Sequence, residues 1–250
     1  SKNTALTEFV APKLTSIGKN AFEGCTALTT FTVPDNITLI DDYAFKSCSA
    51  LKELVFPATY KAPTLTMGLL VFQFCKAFTG IVVQDGANLR LDSDGVLFSG
   101  DGKTLIGTVD TFAATSYTVP EGVEHISGYA FYKKTKLAEV TLPESLKSIG
   151  DSAFLGCTAL KAVALPSGLE TLGTYAFSEC SALTTADLGD TLTAIPDCAF
   201  NKCTALTKVE LPATVTSIAS KAFYSDSKLT AVTFPEGLTE IGKSAFYGCS

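Results

Sequence analysis

A chain of 250 residues that is 46% hydrophobic and only 18% charged holds ample apolar material for a core and is not a disordered chain. Nineteen Lys and Arg against 25 Asp and Glu give a net charge of −6, with no basic cluster to follow a phosphate backbone or an anionic membrane surface. Nucleic acid is therefore not an expected partner. No run approaches the ~18 apolar residues of a membrane-spanning helix, and Leu69-Leu70-Val71-Phe72 reads as a core patch, so no membrane insertion is expected of this segment.

From the N-terminus onward the chain repeats itself. Ala21-Phe22 and Ala44-Phe45 lie 23 residues apart, and after an irregular stretch Phe131, Phe154, Phe177, Phe200, Phe223 and Phe246 follow at the same interval. Self-similarity at a fixed short period signals a stacked array rather than a globule. Other positions keep the register: Leu137, Leu160, Leu183, Leu206 and Leu229 open each unit, and Ile149, Leu172, Ile195, Ile218 and Ile241 stand twelve residues later.

Within a unit the elements are short. Leu160-Lys-Ala-Val-Ala-Leu-Pro166 ends in period-2 alternation, with Val163 and Leu165 on one face, which predicts a strand with one buried side. Pro166 ends it, since proline lacks the N–H a ladder needs. Leu169-x-x-Leu172 is expected to return across the other side. Asp151-Ser-Ala-Phe154 reads as a single helical turn with Asp151 as its N-cap. A unit of 23 residues is too short for the ~30 of a βαβ element. A coil with one strand per turn fits, and stacking joins the apolar rows that no unit can bury alone.

Between Pro57 and Tyr117 the register slips. Phe45 to Phe72 spans 27 residues, so the coil holding Lys61-Ala62-Pro63 carries about four extra. Two apolar runs flank Ser99-Gly100-Asp101-Gly102-Lys103, which predicts a hairpin. Such an insertion can form a binding loop or a spacer that changes curvature. The domain reading is one array over 1–250, about ten coils, with an irregular hairpin-bearing insertion at about 58–117. Both ends fall at the same phase of the repeat without a polar capping coil, and the chain starts at Ser1 rather than Met. A piece of a longer array, or a trimmed product, is the expectation.

The string Leu-x-x-Val-x-Leu-Pro-x-x-Leu-x-x-Ile-Gly-x-x-Ala-Phe-x-x-Cys, running from Leu160 to Cys180 with Leu172 at the Ile place, resembles the BspA-like leucine-rich repeat family, also called the Treponema pallidum type. The resemblance covers 4–57 and 117–250 closely and the middle loosely. With the periodicity it gives the fold class: a right-handed, β-rich leucine-rich-repeat solenoid, with one parallel sheet and short helical or irregular turns on the opposite face. The resemblance also implies an extracellular or cell-surface location in a bacterium, and adhesion to host matrix proteins or other cells.

Seven cysteines, Cys25, Cys48, Cys75, Cys157, Cys180, Cys203 and Cys249, each stand three residues after a repeat Phe. One position in successive coils makes a buried thiol row, and parallel side chains suit neither a disulfide torsion nor the converging ligands of zinc. Lys134 and Asp226 interrupt the row, and the extra Cys198 is expected to be half exposed. His125, the only histidine, occupies a polar, solvent-facing place beside nothing that would make it a base. Asp92-Ser-Asp94-Gly95 has turn chemistry and lacks a calcium loop's ligand set. No catalytic residue, metal site or cofactor is expected.

The strand residues that alternate with the buried ones form two outward columns. Glu139, Thr141, Asp187, Lys208, Glu210 and Thr233 are the candidate binding residues on them. A flat or concave face suits a protein better than a small molecule. The sequence thus reads as a non-enzymatic surface or secreted recognition module for a protein partner. The alternatives are a targeting or spacer array of a larger secreted enzyme and an intracellular scaffold.

Overall fold

A computed structural model describes residues 3–109 and 112–249. The expected array boundaries at Ser1 and Ser250 lie outside the described residues. The chain divides into two compact units, Ser1–Phe112 and Ala113–Ser250.

Both units are built of stacked coils. In the first, Thr30–Thr32, Glu53–Phe56 and Gly80–Val83 pair in parallel, and Ser16–Ile17, Leu39–Ile40 and Thr66–Met67 form a second ladder. Thr30 faces Glu53, 23 positions on, whereas Glu53 faces Gly80, 27 on. The four extra residues therefore sit between Phe56 and Thr66, as the phenylalanine spacing predicted. They are held there by Tyr60, whose buried hydroxyl donates to the Ile37 carbonyl at 2.6 Å.

In the second unit the front strands are Ser116–Thr118, Glu139–Thr141, Ala162–Ala164, Thr185–Asp187, Lys208–Glu210 and Ala231–Thr233. The return segments form their own parallel ladders, one through His125–Ile126, Ser148–Ile149 and Thr171–Leu172, the other through Ala194–Ile195, Ser217–Ile218 and Glu240–Ile241. The one sheet expected is therefore divided into front ladders and side ladders, one of each in the first unit and more than one of each in the second. Two residues of the return segment extend far enough to pair.

The expected helical turn does not form. Ser152 and Gly156 have φ of 58° and 75°, the left-handed region, and equivalent positions in other coils do the same. Ala153, Leu155 and Cys157 each donate three residues back, closing β-turns. Ser152, Phe154 and Gly156 donate to Thr174, Ala176 and Ser178 of the next coil. Every second N–H thus leaves the coil, which an α-helix cannot allow.

The repeat phenylalanines stack along the core. Phe131, Phe154, Phe177, Phe200, Phe223 and Phe246 lie 5.0–5.6 Å apart by ring centroid with planes within 8°. Near-parallel rings at such centroid separations are offset-stacked, each pair contributing about 0.5–1.5 kcal/mol beyond its burial. Phe22, Phe45 and Phe72 continue the motif in the first unit.

The Gly of the Ile-Gly pair allows the coils to approach. A Cβ on Gly173 would stand 2.4 Å from the Asp151 nitrogen. The predicted hairpin is present as Val96–Ser99 against Thr104–Thr108, with Leu89–Leu91 added antiparallel on its other side.

Candidate functional site

The front strands present the outward columns as the alternation predicted. Glu139, Thr141, Asp187, Lys208, Glu210 and Thr233 are all exposed. Between them the front ladder of the second unit is not continuous. Ser116–Thr118 pairs with Glu139–Thr141, Ala162–Ala164 with Thr185–Asp187, and Lys208–Glu210 with Ala231–Thr233. At the junction of the first two pairs, Lys161 N donates to Ala138 O at 3.1 Å. The bond expected at the other end of that junction, Leu142 N to Ala164 O, is not formed among the described residues, although its counterparts from Val119 to Thr141 and from Leu165 to Asp187 are, each at 2.9 Å.

A groove of about 510 Å³ opens at that gap, floored by Ala164 and Leu165 and rimmed by Glu144, Asp187 and Asp190. A second depression, about 450 Å³, adjoins it over Ala162 and shares Val140, Ala164 and Asp187; Glu139 and Lys161 stand on its edge. The two alanines create the hollow because neighbouring strands carry Glu139, Thr141, Thr185 and Asp187 at the same places. The larger groove has three carboxylates and no cation in its lining.

Local geometry fixes those acids. Gly189 takes φ 64°, and its N–H donates to Asp187 Oδ1 at 3.1 Å. A Cβ there would meet the Leu165 and Pro166 carbonyl oxygens at 3.0–3.1 Å. Glu144 accepts from Ser167 Oγ at 3.4 Å.

Of the predicted site residues, the hollow gathers Glu139, Thr141 and Asp187. Lys208, Glu210 and Thr233 lie on the following two strands and do not line it. Lys208 and Glu210 pair with each other, and the ammonium holds the Glu210 carboxyl below its ordinary value. Glu144, Asp190 and Gly189 were missed. Their signal was present: Leu188-Gly189 replaces the Leu-Pro of Leu142-Pro143 and Leu165-Pro166.

Elsewhere the structure places the other singled-out residues. His125 is exposed, with Nδ1 2.8 Å from Ser148 Oγ. Asp92 Oδ1 accepts the Asp94 and Val96 N–H groups, which is turn chemistry. Asp101 likewise closes the hairpin turn, with Ser99 Oγ at 2.6 Å and Lys103 N at 3.0 Å. Another groove, about 810 Å³, lies in the first unit between Ile81 and Arg90. Cys198 is 6% exposed rather than half exposed, at the place Tyr175 holds in the preceding coil. All eight thiols are free. Among the described residues no helix is long and apolar enough to cross a membrane.

The model of the BspA type leucine rich repeat region matches residues 2–89 and 114–250 in six copies. The chain belongs to the BspA-type leucine-rich repeat family. Solved structures agree in fold. A leucine-rich repeat protein from Eubacterium ventriosum superposes with a TM-score of 0.67 at 22% identity, covering 94% of this chain and 80% of its own. A leucine rich cell surface protein from Faecalibacterium prausnitzii gives 0.60 at 25% identity, over 96% of this chain and 56% of that one. The pneumococcal vaccine antigen PcpA gives 0.58 at 23%, over 93% and 66%. No curated protein sequence matches the chain. The BspA-type repeat accounts for the register, the stacked phenylalanines and the alternation that exposes the front columns.

Proposed function

We propose that this BspA-type array is a non-enzymatic recognition module, displayed on a cell surface or secreted, that binds a protein partner on its front strand face. The observation that carries this reading is the acid-rimmed hollow over Ala162 and Ala164. It is open and runs into a second open depression on the same face, so it accepts an extended chain rather than enclosing a small molecule. Glu144, Asp187 and Asp190 line the larger groove with no cation among them, Lys161 standing only at the edge of the adjoining depression, which favours a segment bearing Lys or Arg. The surface location is supported by the family and by the F. prausnitzii relative, described as a cell surface protein.

The test is binding to immobilised extracellular matrix proteins and to an extended lysine-rich peptide, for the natural chain and for a D187K/E210K double variant, with R90E in the first-unit groove as the control. Loss of binding in the double variant, with R90E unaffected, supports the front face. Binding retained by the double variant and lost by R90E would move recognition to the first unit.

A further inference from the structure

Six of the seven thiols of the internal row make the same bond. Cys48, Cys75, Cys157, Cys180, Cys203 and Cys249 donate from Sγ to the carbonyl of the repeat phenylalanine one coil upstream, at 3.0–3.3 Å. Between Cys203 and Cys249 the residue in this column is Asp226, and it is fully buried. One carboxyl oxygen, Oδ1, accepts the Cys203 N–H at 2.8 Å. The other, Oδ2, is buried and has no hydrogen-bond partner among the described residues. By the rule of the column, the upstream acceptor that corresponds to Asp226 is the Phe200 carbonyl.

A carboxylate cannot make the bond the thiols make, because it has no hydrogen to give; a carboxylic acid can. We propose that Asp226 is carried as a neutral acid that stands in for the missing thiol and donates to the Phe200 carbonyl, so that the last coils form a latch that is tightest in acid and loosens as the solution becomes alkaline. The titratable groups facing it are the Cys203 thiol on one side and the Cys249 thiol on the other, each itself raised chiefly by burial. No charged side chain among the described residues compensates a carboxylate at this place. Burial pushes the Asp226 carboxyl up to about 8 from an ordinary 3.8, against the single favourable Cys203 N–H.

The sign follows from linkage. Below the ordinary carboxylate range the folded and opened states are both protonated. Between that range and about 8 the opened state has lost its proton and the folded state has not, so closure weakens as pH rises; above it the effect levels off.

Two measurements on the full chain test this. The first is the ¹³Cγ titration of Asp226 by NMR, expected near pH 8. The second is native-state hydrogen exchange, read as protection factors at Phe200, Cys203 and Phe223 in the natural chain and in D226N and D226C. The natural chain should lose protection by up to about tenfold per pH unit between the two values, and both variants should be flat. An Asp226 carboxyl titrating in the ordinary range, or variants with the natural slope, would overturn the proposal. The NMR titration needs no substitution and decides the question even if a variant fails to fold.

Discussion

Cys180 donates its thiol hydrogen to the carbonyl of Phe154, one coil upstream, at 3.3 Å. That bond ties the two repeat signatures, the Ala-Phe pair and the Cys three residues later, into one device. The phenylalanine ring stacks on its counterpart in the next coil, while its carbonyl is capped from the same side by the next coil's thiol. Sequence periodicity thereby becomes a continuous interior, and the front face that rides on it can vary without cost to the core.

Truncating a stacked ring should therefore cost far more than truncating an exposed one. Phe177→Ala removes a fully buried side chain flanked by rings at 5.1 and 5.6 Å. About 3–5 kcal/mol of stability should be lost in denaturant unfolding. Phe74→Ala, at a side chain 65% exposed, should change stability by less than about 1 kcal/mol.

The glycines separate into two kinds. Gly173→Ala forces a Cβ to within 2.4 Å of backbone in the preceding coil and should destabilise by about 1–3 kcal/mol. Gly168→Ala meets only the Glu144 carbonyl oxygen at 3.6 Å, without a left-handed φ, and should be tolerated. Thermal unfolding of the pair checks the difference, and equal effects would contradict the coil spacing described.

The thiol row should be chemically quiet. Burial raises the Cys157 thiol to about 12 and the Cys180 and Cys203 thiols well above their ordinary value. Reaction needs the thiolate, so native alkylation at pH 8 should spare these three and proceed first at the partly exposed Cys75 and Cys249. Site-resolved mass spectrometry of iodoacetamide adducts provides the check. Modification of Cys180 at the rate of Cys249 would be inconsistent with the closed column.

Gly189 carries the shape of the acidic rim. Gly189→Pro restores the Leu-Pro of neighbouring units, but proline is fixed near φ −65° where the chain requires 64°. It also removes the N–H that holds Asp187. The variant should keep the stacked core yet bind a lysine-rich peptide at least tenfold more weakly, measured by calorimetry beside circular dichroism. Unchanged affinity with an intact fold would separate recognition from this rim.

Much of this architecture was legible in the sequence, because a residue recurring every 23 positions has to meet its copies when coils stack. Phe154, Val163 and Cys157 each announced a buried column. The four-residue slip before Phe72 announced the coil that Tyr60 fills. The turn containing Ser152 was not legible as such: Asp151-Ser-Ala-Phe154 spells a capped helix locally, and only the hydrogen bonds to Thr174 and Ala176 of the next coil hold Ser152 in the left-handed region. The hollow was half legible. Small Ala162 and Ala164 and the odd Leu188-Gly189 stood in plain view. The parting of the ladder between Leu142 and Ala164 depends on coil-to-coil geometry that no single unit encodes. The burial of Asp226 was missed because a charged residue in an apolar column reads as an interruption, whereas the stack continues through it.

The most direct test of recognition by the front face is a hydrogen-exchange footprint of the full chain with and without a bound lysine-rich extended peptide. Slower exchange is expected at Thr141, Ala164, Asp187 and Gly189, with the hairpin from Val96 to Thr108 unchanged. Protection confined to that hairpin, or to the turns around Ser152 and Tyr175, would contradict it.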